Sequence, residues 1–351
     1  MSQPLVSICI PTYNRPALLR EAVHSCLAQT FGDFEIVITD NSESDESERW
    51  IGHLNEPRVR YSRNERNIGG TGNFTKVLSL ARGKYVKLLM DDDLIKPRFL
   101  SLTVAALEKQ ATAGVAMAPM DLIDAQGRHI TPRFYAFRTM HYRYRYRVGD
   151  GLIDRKTLLR DFLTRDYPCC VPSGVLFRKE FFDRFGSNDP AADFAGDLDL
   201  CMRAALHYDF YYIDEVLSSW RYFPENHTAT LHKTGFPIHV FYSITRKILS
   251  DPEAQRIFAG EDWRRLERDS YFFCTCRSLL NFHAAVRQMN PRLFAATLAL
   301  IWREDPYRAN LLRLPLFALR EMWNSLLPDR LPPPRSGDFE EPPRTRVPGP
   351  D

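Results

Sequence analysis

Two hydrophobic periods alternate along the first third of the chain. Leu5-Val6-Ser7-Ile8-Cys9-Ile10 is a short apolar run closed by Pro11, the pattern of a strand buried on both faces. Leu18, Leu19, Ala22, Val23, Cys26 and Leu27 then recur at helical spacing between Pro16 and Gln29, with Gly32 just beyond. The cycle repeats: strand over 34–39, helix over 45–54, short strand over 58–61, helix over 71–81, strand over 85–90, helix over 97–110, strand near 114–118. Apolar strands alternating with helices predict an α/β fold, a mainly parallel sheet with helices on both faces. Ligands of such sheets bind beyond the carboxyl ends of the strands. Those ends carry Thr12-Tyr13-Asn14-Arg15, Asp40-Asn41-Ser42 and Asp91-Asp92-Asp93.

The middle third is less regular. It offers a turn at Asp124-Ala125-Gln126-Gly127, a period-two run HYRYRYR over 141–147, and an approach over 168–178 to a helix over 179–185. A helix over 197–207 and a strand near 211–214 follow. From about 236 to 327 the pattern is helical, over 240–249, 263–288, 293–302 and from Ala309 to Leu326; the Pro- and Arg-rich remainder reads as disordered. The expected layout is a sheet domain over 1–230, a helical extension over 231–327 and a tail over 328–351.

Composition narrows this only a little. Lys and Arg (47) nearly balance Asp and Glu (44), so the net charge of +3 gives no footprint for nucleic acid. Seven cysteines without a C-x-x-C pair argue against a disulfide framework or a structural zinc and for reduced thiols in a cytosolic protein. No basic leader followed by an apolar stretch is present, nor a run of the ~18 apolar residues a membrane span needs. The expected location is the cytoplasm, free or peripheral at the inner face of the plasma membrane.

Asp91-Asp92-Asp93 are three carboxylates that repel one another at a strand end. A divalent ion bridging to a diphosphate relieves that repulsion, and hard oxygen ligands suit Mn²⁺ or Mg²⁺; a solvated acidic turn ahead of a helix is the plainer alternative. Asp40 is a candidate for a nucleobase or ribose contact, or else a cap. The loop Asn67-Ile68-Gly69-Gly70-Thr71-Gly72-Asn73 can bring backbone N–H groups to phosphate, although it matches neither Gly-rich phosphate fingerprint. Asp197 and Asp199 open a predicted helix, as a general base or as acids favoured by the helix dipole.

VSICIPTYNR over 6–15, Asp40-Asn41-Ser42, Asn67-Ile68-Gly69, Ala81-Arg82-Gly83-Lys84-Tyr85 and LMDDD over 89–93 occur in the order seen in family-2 glycosyltransferases of the GT-A fold. The chain resembles that family well over about 120 residues and more loosely to about 230. The resemblance implies that Pro11, Tyr13 and Arg15 line the nucleotide pocket with Asn67 and Gly69 nearby, and that Asp40 contacts the base. It also implies that Asp91, Asp92 and Asp93 form the D-x-D element, with Asp93 in the metal role. Asp197 matches the family's catalytic base, with Gly196 where a Glu usually stands and Asp199 in reserve. Arg221, in SSWRYFPENH over 218–227, would meet the donor phosphates; Phe223 stands where a His is common, so that contact is lost or passes to His227.

The implied activity is inverting, metal-assisted transfer from a nucleotide-diphosphate sugar to a glycan, lipid-linked or small-molecule acceptor hydroxyl, in polysaccharide, O-antigen or glycoconjugate synthesis. A sugar-nucleotide pyrophosphorylase fits less well, since Pro11-Thr12-Tyr13-Asn14 stands where that class has a Gly-rich loop. A non-catalytic sugar-nucleotide binder on a degenerate domain remains an alternative. Tyr142, Tyr144 and Tyr146 opposite Arg143, Arg145 and Arg147 would make an acceptor groove or a plain surface strand. Ser173-Gly174-Val175 lies at an acceptor-proximal place in the family, or is a small-residue turn. The helix from Ala309 to Leu326 is a candidate membrane-surface contact, with packing onto the core or a homo-oligomer interface as the alternatives.

Overall fold

The computed structural model of the chain describes residues 3–130, 149–165, 172–187, 189–223, 230–231 and 235–316. In chain order come β1 (Val6–Thr12), α1 (Pro16–Leu27), β2 (Phe34–Asp40), α2 (Glu46–Leu54), β3 (Val59–Arg63) and α3 (Gly69–Ser79). Then follow β4 (Tyr85–Leu88), β5 (Leu94–Ile95), α4 (Phe99–Lys109), β6 (Ala113–Met117), β7 (Met120–Ile123), β8 (Gly151–Ile153) and α5 (Arg155–Thr164). After these lie β9 (Val175–Arg178), α6 (Lys179–Phe185), α7 (Gly196–His207), β10 (Asp209–Tyr212) and β11 (Ser218–Arg221). The helical extension comprises α8 (His239–Leu249), α9 (Pro252–Ile257), α10 (Trp263–Arg277), α11 (Leu279–Arg287) and α12 (Pro291–Glu304).

The main sheet has the order β3-β2-β1-β4-β9-β6-β10-β8. β3, β2, β1 and β4 are parallel neighbours, as are β6 and β10. β9 inserts antiparallel between β4 and β6, and β8 closes the edge antiparallel to β10. Strand periodicity divides the core into two layers. Val6, Ile8 and Ile10 of β1 join Ile36 and Ile38 of β2 under Leu19, Val23, Phe99 and Leu107. Cys9 and Val37 point the other way, toward Phe74 and Val77 of α3. That second layer continues through Phe177 and Phe210 into Tyr242, Ile244 and Tyr271, so the helical extension shares the core of the sheet domain.

The structure departs from the sequence pattern in several places, among them β8, α5 and α9, which that pattern did not predict. The helix expected over 263–288 is two helices, because the buried Ser278 hydroxyl donates to the Thr275 carbonyl and competes with the helical ladder. Residues 168–178 were expected only to lead into a helix, yet 175–178 form β9. A second sheet of order β5-β11-β7 was unforeseen, since its two- to four-residue strands are too short for periodicity to register. The run over 141–147, His227 and the tail over 328–351 lie outside the described residues, as does the helix from Ala309 to Leu326 beyond its helical part at 310–316.

Candidate active site

The carboxyl ends of β1, β2 and β4 deliver the predicted polar residues to one rim. Asp91 is buried and accepts from Thr12 Oγ1 at 2.7 Å, which locks the end of β1 to the end of β4. Arg15 precedes α1, and its Nη1 lies 3.3 Å from Asp91 Oδ1 and 2.9 Å from Asp92 Oδ2. The Arg15 guanidinium also sits 5.8 Å from the Phe223 ring, so Phe223 reaches the triplet from β11's far end. Asp93 is deepest: its Oδ1 accepts from the Arg221 backbone N–H at 2.9 Å and its Oδ2 from the Ser173 hydroxyl.

Burial, and then the neighbouring Asp92 charge, pushes the Asp91 carboxyl up to about 6 against the opposing pull of Arg15. Asp93 is raised well above the usual range by the same two causes, and Asp92 is raised mainly by burial. The triplet thus has the chemistry of a cation site, with one guanidinium already drawn to it. Its donors are hard oxygens whose ionised forms lack full compensation, which fits Mn²⁺ or Mg²⁺. Among the described residues no three His, Cys, Asp or Glu side chains, the aspartate triplet included, are grouped so as to hold a metal ion, so an ion at the rim would need further oxygens from a diphosphate or water.

The nucleotide end is set by an amide network that the sequence did not reveal. Asn73 of α3 donates to the Thr12 and Thr39 carbonyls at 3.1 and 3.0 Å, joining β1 to β2. Asn64 donates to Asn41 Oδ1 and Asn73 Oδ1, and Asn41 donates to the Gly69 carbonyl at 3.1 Å. Asn67 accepts from the Gly69 N–H at 2.8 Å, where φ is +78° and glycine is favoured. Tyr13 is 47% exposed at the mouth, next to partly buried Pro11. Asp40 is fully buried, with Oδ2 on the Tyr61 hydroxyl (2.8 Å) and Oδ1 on the Ser42 N–H (2.7 Å). Presenting it to a base requires one of these donors to yield.

α7 brings the acidic pair to the same rim by topology. Only Tyr208 separates α7 from β10, so the helix runs back against its strand and its first turn lies at the strands' carboxyl end. Asp197 is half-buried there, its Oδ1 accepting the Leu198 N–H at 2.8 Å. The reserve candidate Asp199 does not fit the role of base. It is fully buried, with Oδ2 on Arg203 Nε at 2.7 Å and Oδ1 on Lys247 Nζ at 3.0 Å, so both of its oxygens are engaged and inaccessible.

Arg221 is likewise a correction. Its side chain is completely buried: Nε donates to the Asp92 carbonyl (2.8 Å), Nη1 to the carbonyls of Asp124 and Ala125, and Nη2 to Glu21. It braces the triplet from behind, and its guanidinium is not open to a phosphate. Pairing of β11 with β7 and β5 is what puts it there. Lys87 is a second hidden brace. Its buried amine donates to the carbonyls of Pro172, Ser173 and Val175, fixing the turn that carries Ser173 under Asp93, while burial pushes its pKa well below the usual lysine range. A buried lysine inside a strand ending in Asp-Asp-Asp was the available signal. A cleft of about 1040 Å³, lined by Asp33, Arg58, Arg82 and Lys84, lies at the opposite, amino-terminal end of the strands. Ion pairs such as Arg60–Glu35 and Lys84–Glu108 occupy its charges.

The chain is similar to known proteins in the same terms. It is 27% identical over 229 residues to an uncharacterized glycosyltransferase of Methanocaldococcus jannaschii, covering 63% of this chain and 72% of that one. It is 24% identical over 289 residues to the GalNAc(5)-diNAcBac-PP-undecaprenol beta-1,3-glucosyltransferase of Campylobacter jejuni, covering 78% and 80%. With the abequosyltransferase of Salmonella typhimurium it shares 38% identity over 113 residues, 30% of this chain and 34% of that one. Among solved structures, TarS 1-349 of S. aureus in complex with UDP-GlcNAc superposes with a TM-score of 0.61 at 18% identity, covering 91% and 88%. The mannosyltransferase PcManGT of Pyrobaculum calidifontis, in complex with GDP-Man and Mn²⁺, gives 0.56 at 15% identity, covering 92% and 88%. The fold is therefore GT-A. The model of glycosyl transferase family 2 matches residues 7–186, half of the chain, and the protein belongs to that family: it is a glycosyltransferase.

Proposed function

We propose that the rim holds a nucleotide-diphosphate sugar through Asp91, Asp92 and Asp93 with Mn²⁺ or Mg²⁺, and that Asp197 deprotonates the acceptor hydroxyl. The observation that carries this reading is the buried aspartate triplet, raised in pKa and gripped by Arg15 at the carboxyl end of β4. A bound divalent ion would supply neutralisation of charge on the departing diphosphate. Tyr13 and Pro11 would line the nucleoside mouth, with Asn67 and Gly69 shaping the loop beside it. Asp197 takes the hydroxyl proton while the acceptor oxygen bonds the anomeric carbon; the bond to the diphosphate breaks and the configuration inverts. The Campylobacter relative's name specifies a polyprenyl-diphosphate-linked glycan, and on that likeness a lipid-linked glycan is the acceptor class to test first.

The test offers UDP-, dTDP- and GDP-sugars with Mn²⁺ and polyprenyl-diphosphate-linked glycans to the wild type and Asp197→Asn. Release of nucleoside diphosphate that depends on acceptor, and a product of inverted configuration by NMR, are expected from the wild type. A product that retains the donor's configuration contradicts the single-displacement reading.

A further inference from the structure

α12 buries a narrow stripe and leaves an apolar face outside. Thr297 and Ile301 are buried, whereas Phe294, Leu298 and Trp302 are 42%, 39% and 54% exposed. Their spacing of four aligns them along one side of the helix. Ala295 and Ala299 are exposed beside them, and the adjoining segments expose Val286, Met289, Leu312 and Leu316. A helix that simply covers a core turns polar residues to water; a contiguous apolar face marks a contact.

Arginines predominate among the exposed charges around this face. Arg292 and Arg303 are exposed on α12, and Arg308 lays its guanidinium 4.4 Å from the Trp302 ring centre. The acids nearby are engaged: Glu304 with Arg246 and Arg303, and buried Asp305 with Thr275 and Asn310. A two-fold contact between copies would set these arginines against one another with no acid opposite. An anionic bilayer complements both features, taking the apolar stripe into the acyl boundary and the arginines at its phosphates, with Trp302 at the interface.

We propose that the α12 face docks the protein on a membrane carrying anionic lipid. The face is firmly connected to the start of α7. Asn281 of α11 exchanges two hydrogen bonds with the Phe236 backbone, at 2.9 and 2.6 Å, and the Phe236 ring packs edge-on against Phe194, three residues before Asp197. A docked membrane therefore bears on the body that carries the acceptor-side carboxylate. The proposal stands apart from the donor reading, since it needs neither metal nor nucleotide.

The experiment is flotation of the full chain with phosphatidylcholine vesicles, with and without phosphatidylglycerol, for the wild type and the double variant Leu298→Gln, Trp302→Gln. Wild type is expected to float with the anionic vesicles only, and less at high salt. The double variant is expected to bind about tenfold more weakly, with an unchanged melting temperature because both positions are exposed. No flotation of the wild type, or equal flotation of the folded double variant, overturns the proposal. So does a dimeric mass in light scattering that falls to monomeric in the double variant, which would make the face a contact between copies.

Discussion

Asp197 and Asp199 stand two residues apart in one helical turn, yet their surroundings differ. Asp199 is closed in by Arg203 and Lys247, while Asp197 is half-buried at the rim. Asp197→Asn is expected to keep the melting temperature and donor binding but to lower turnover by about 10³-fold, within the range for loss of a general base. Asp199→Asn is expected to destabilise by about 3 kcal/mol, because Arg203 and Lys247 lose their shared acceptor. Turnover assays and denaturant titrations separate the two, and equal turnover losses in folded protein would contradict the assignment. Asp91 carries a pH signature. Its folded pKa of about 6 lies above that of an unfolded aspartate, so its contribution to stability is full at low pH and is lost as pH rises through about 6. In metal-free protein, Asp91→Asn should therefore gain on the wild type in melting temperature between pH 5 and 7.5. A difference that is flat over that range would contradict it. Residues such as Asp91 were legible in the sequence because a carboxylate at the end of an apolar strand stands out locally. The contacts of Ser173 and Arg221 with Asp93 were not, because Asp93 lies 80 and 128 residues away in the chain.

At the scale of elements, β1, β2, β4 and β6 were legible because these strands are buried on both faces, and α1 and α4 because each carries a regular buried stripe. The small sheet was not, since β11 is held over the triplet by tertiary pairing and contains Ser218 and Ser219. The junction of β4 and β9 depends on a choice equally hidden from periodicity, the buried amine of Lys87 over the Phe99 ring at 4.2 Å. Lys87→Met, close in volume, orphans the carbonyls of Pro172, Ser173 and Val175 and should cost about 2 kcal/mol. It should also weaken Mn²⁺ affinity by loosening Ser173 beneath Asp93. Calorimetric melting and Mn²⁺ titration check both; stability and affinity equal to wild type would show that the amine braces nothing. Gly83, in the turn before β4, has a separate backbone reason: a Cβ there would lie 2.6 Å from the Ser7 nitrogen. Gly83→Ala forces β1 and the turn apart and should lower the melting temperature.

For the whole molecule, one continuous core joins the sheet to the helical extension, so Asp197, the triplet and the exposed α12 face belong to one body. No described helix is long and apolar enough to cross a membrane. The central claim is that the body binds a sugar nucleotide through a divalent ion on the aspartate triplet. Its most direct test is the melting temperature of wild type and Asp93→Asn with UDP, dTDP and GDP and their sugars, with and without Mn²⁺. Asn can keep the Arg221 N–H bond on its one amide oxygen and donate its amide N–H to the Ser173 hydroxyl while removing the charge, so the fold should survive. The account predicts that at least one nucleotide stabilises the wild type only with Mn²⁺, by several degrees at saturation, and that Asp93→Asn abolishes the shift. Mn²⁺-dependent stabilisation that persists in Asp93→Asn, or none with any nucleotide in a folded wild type, would contradict it.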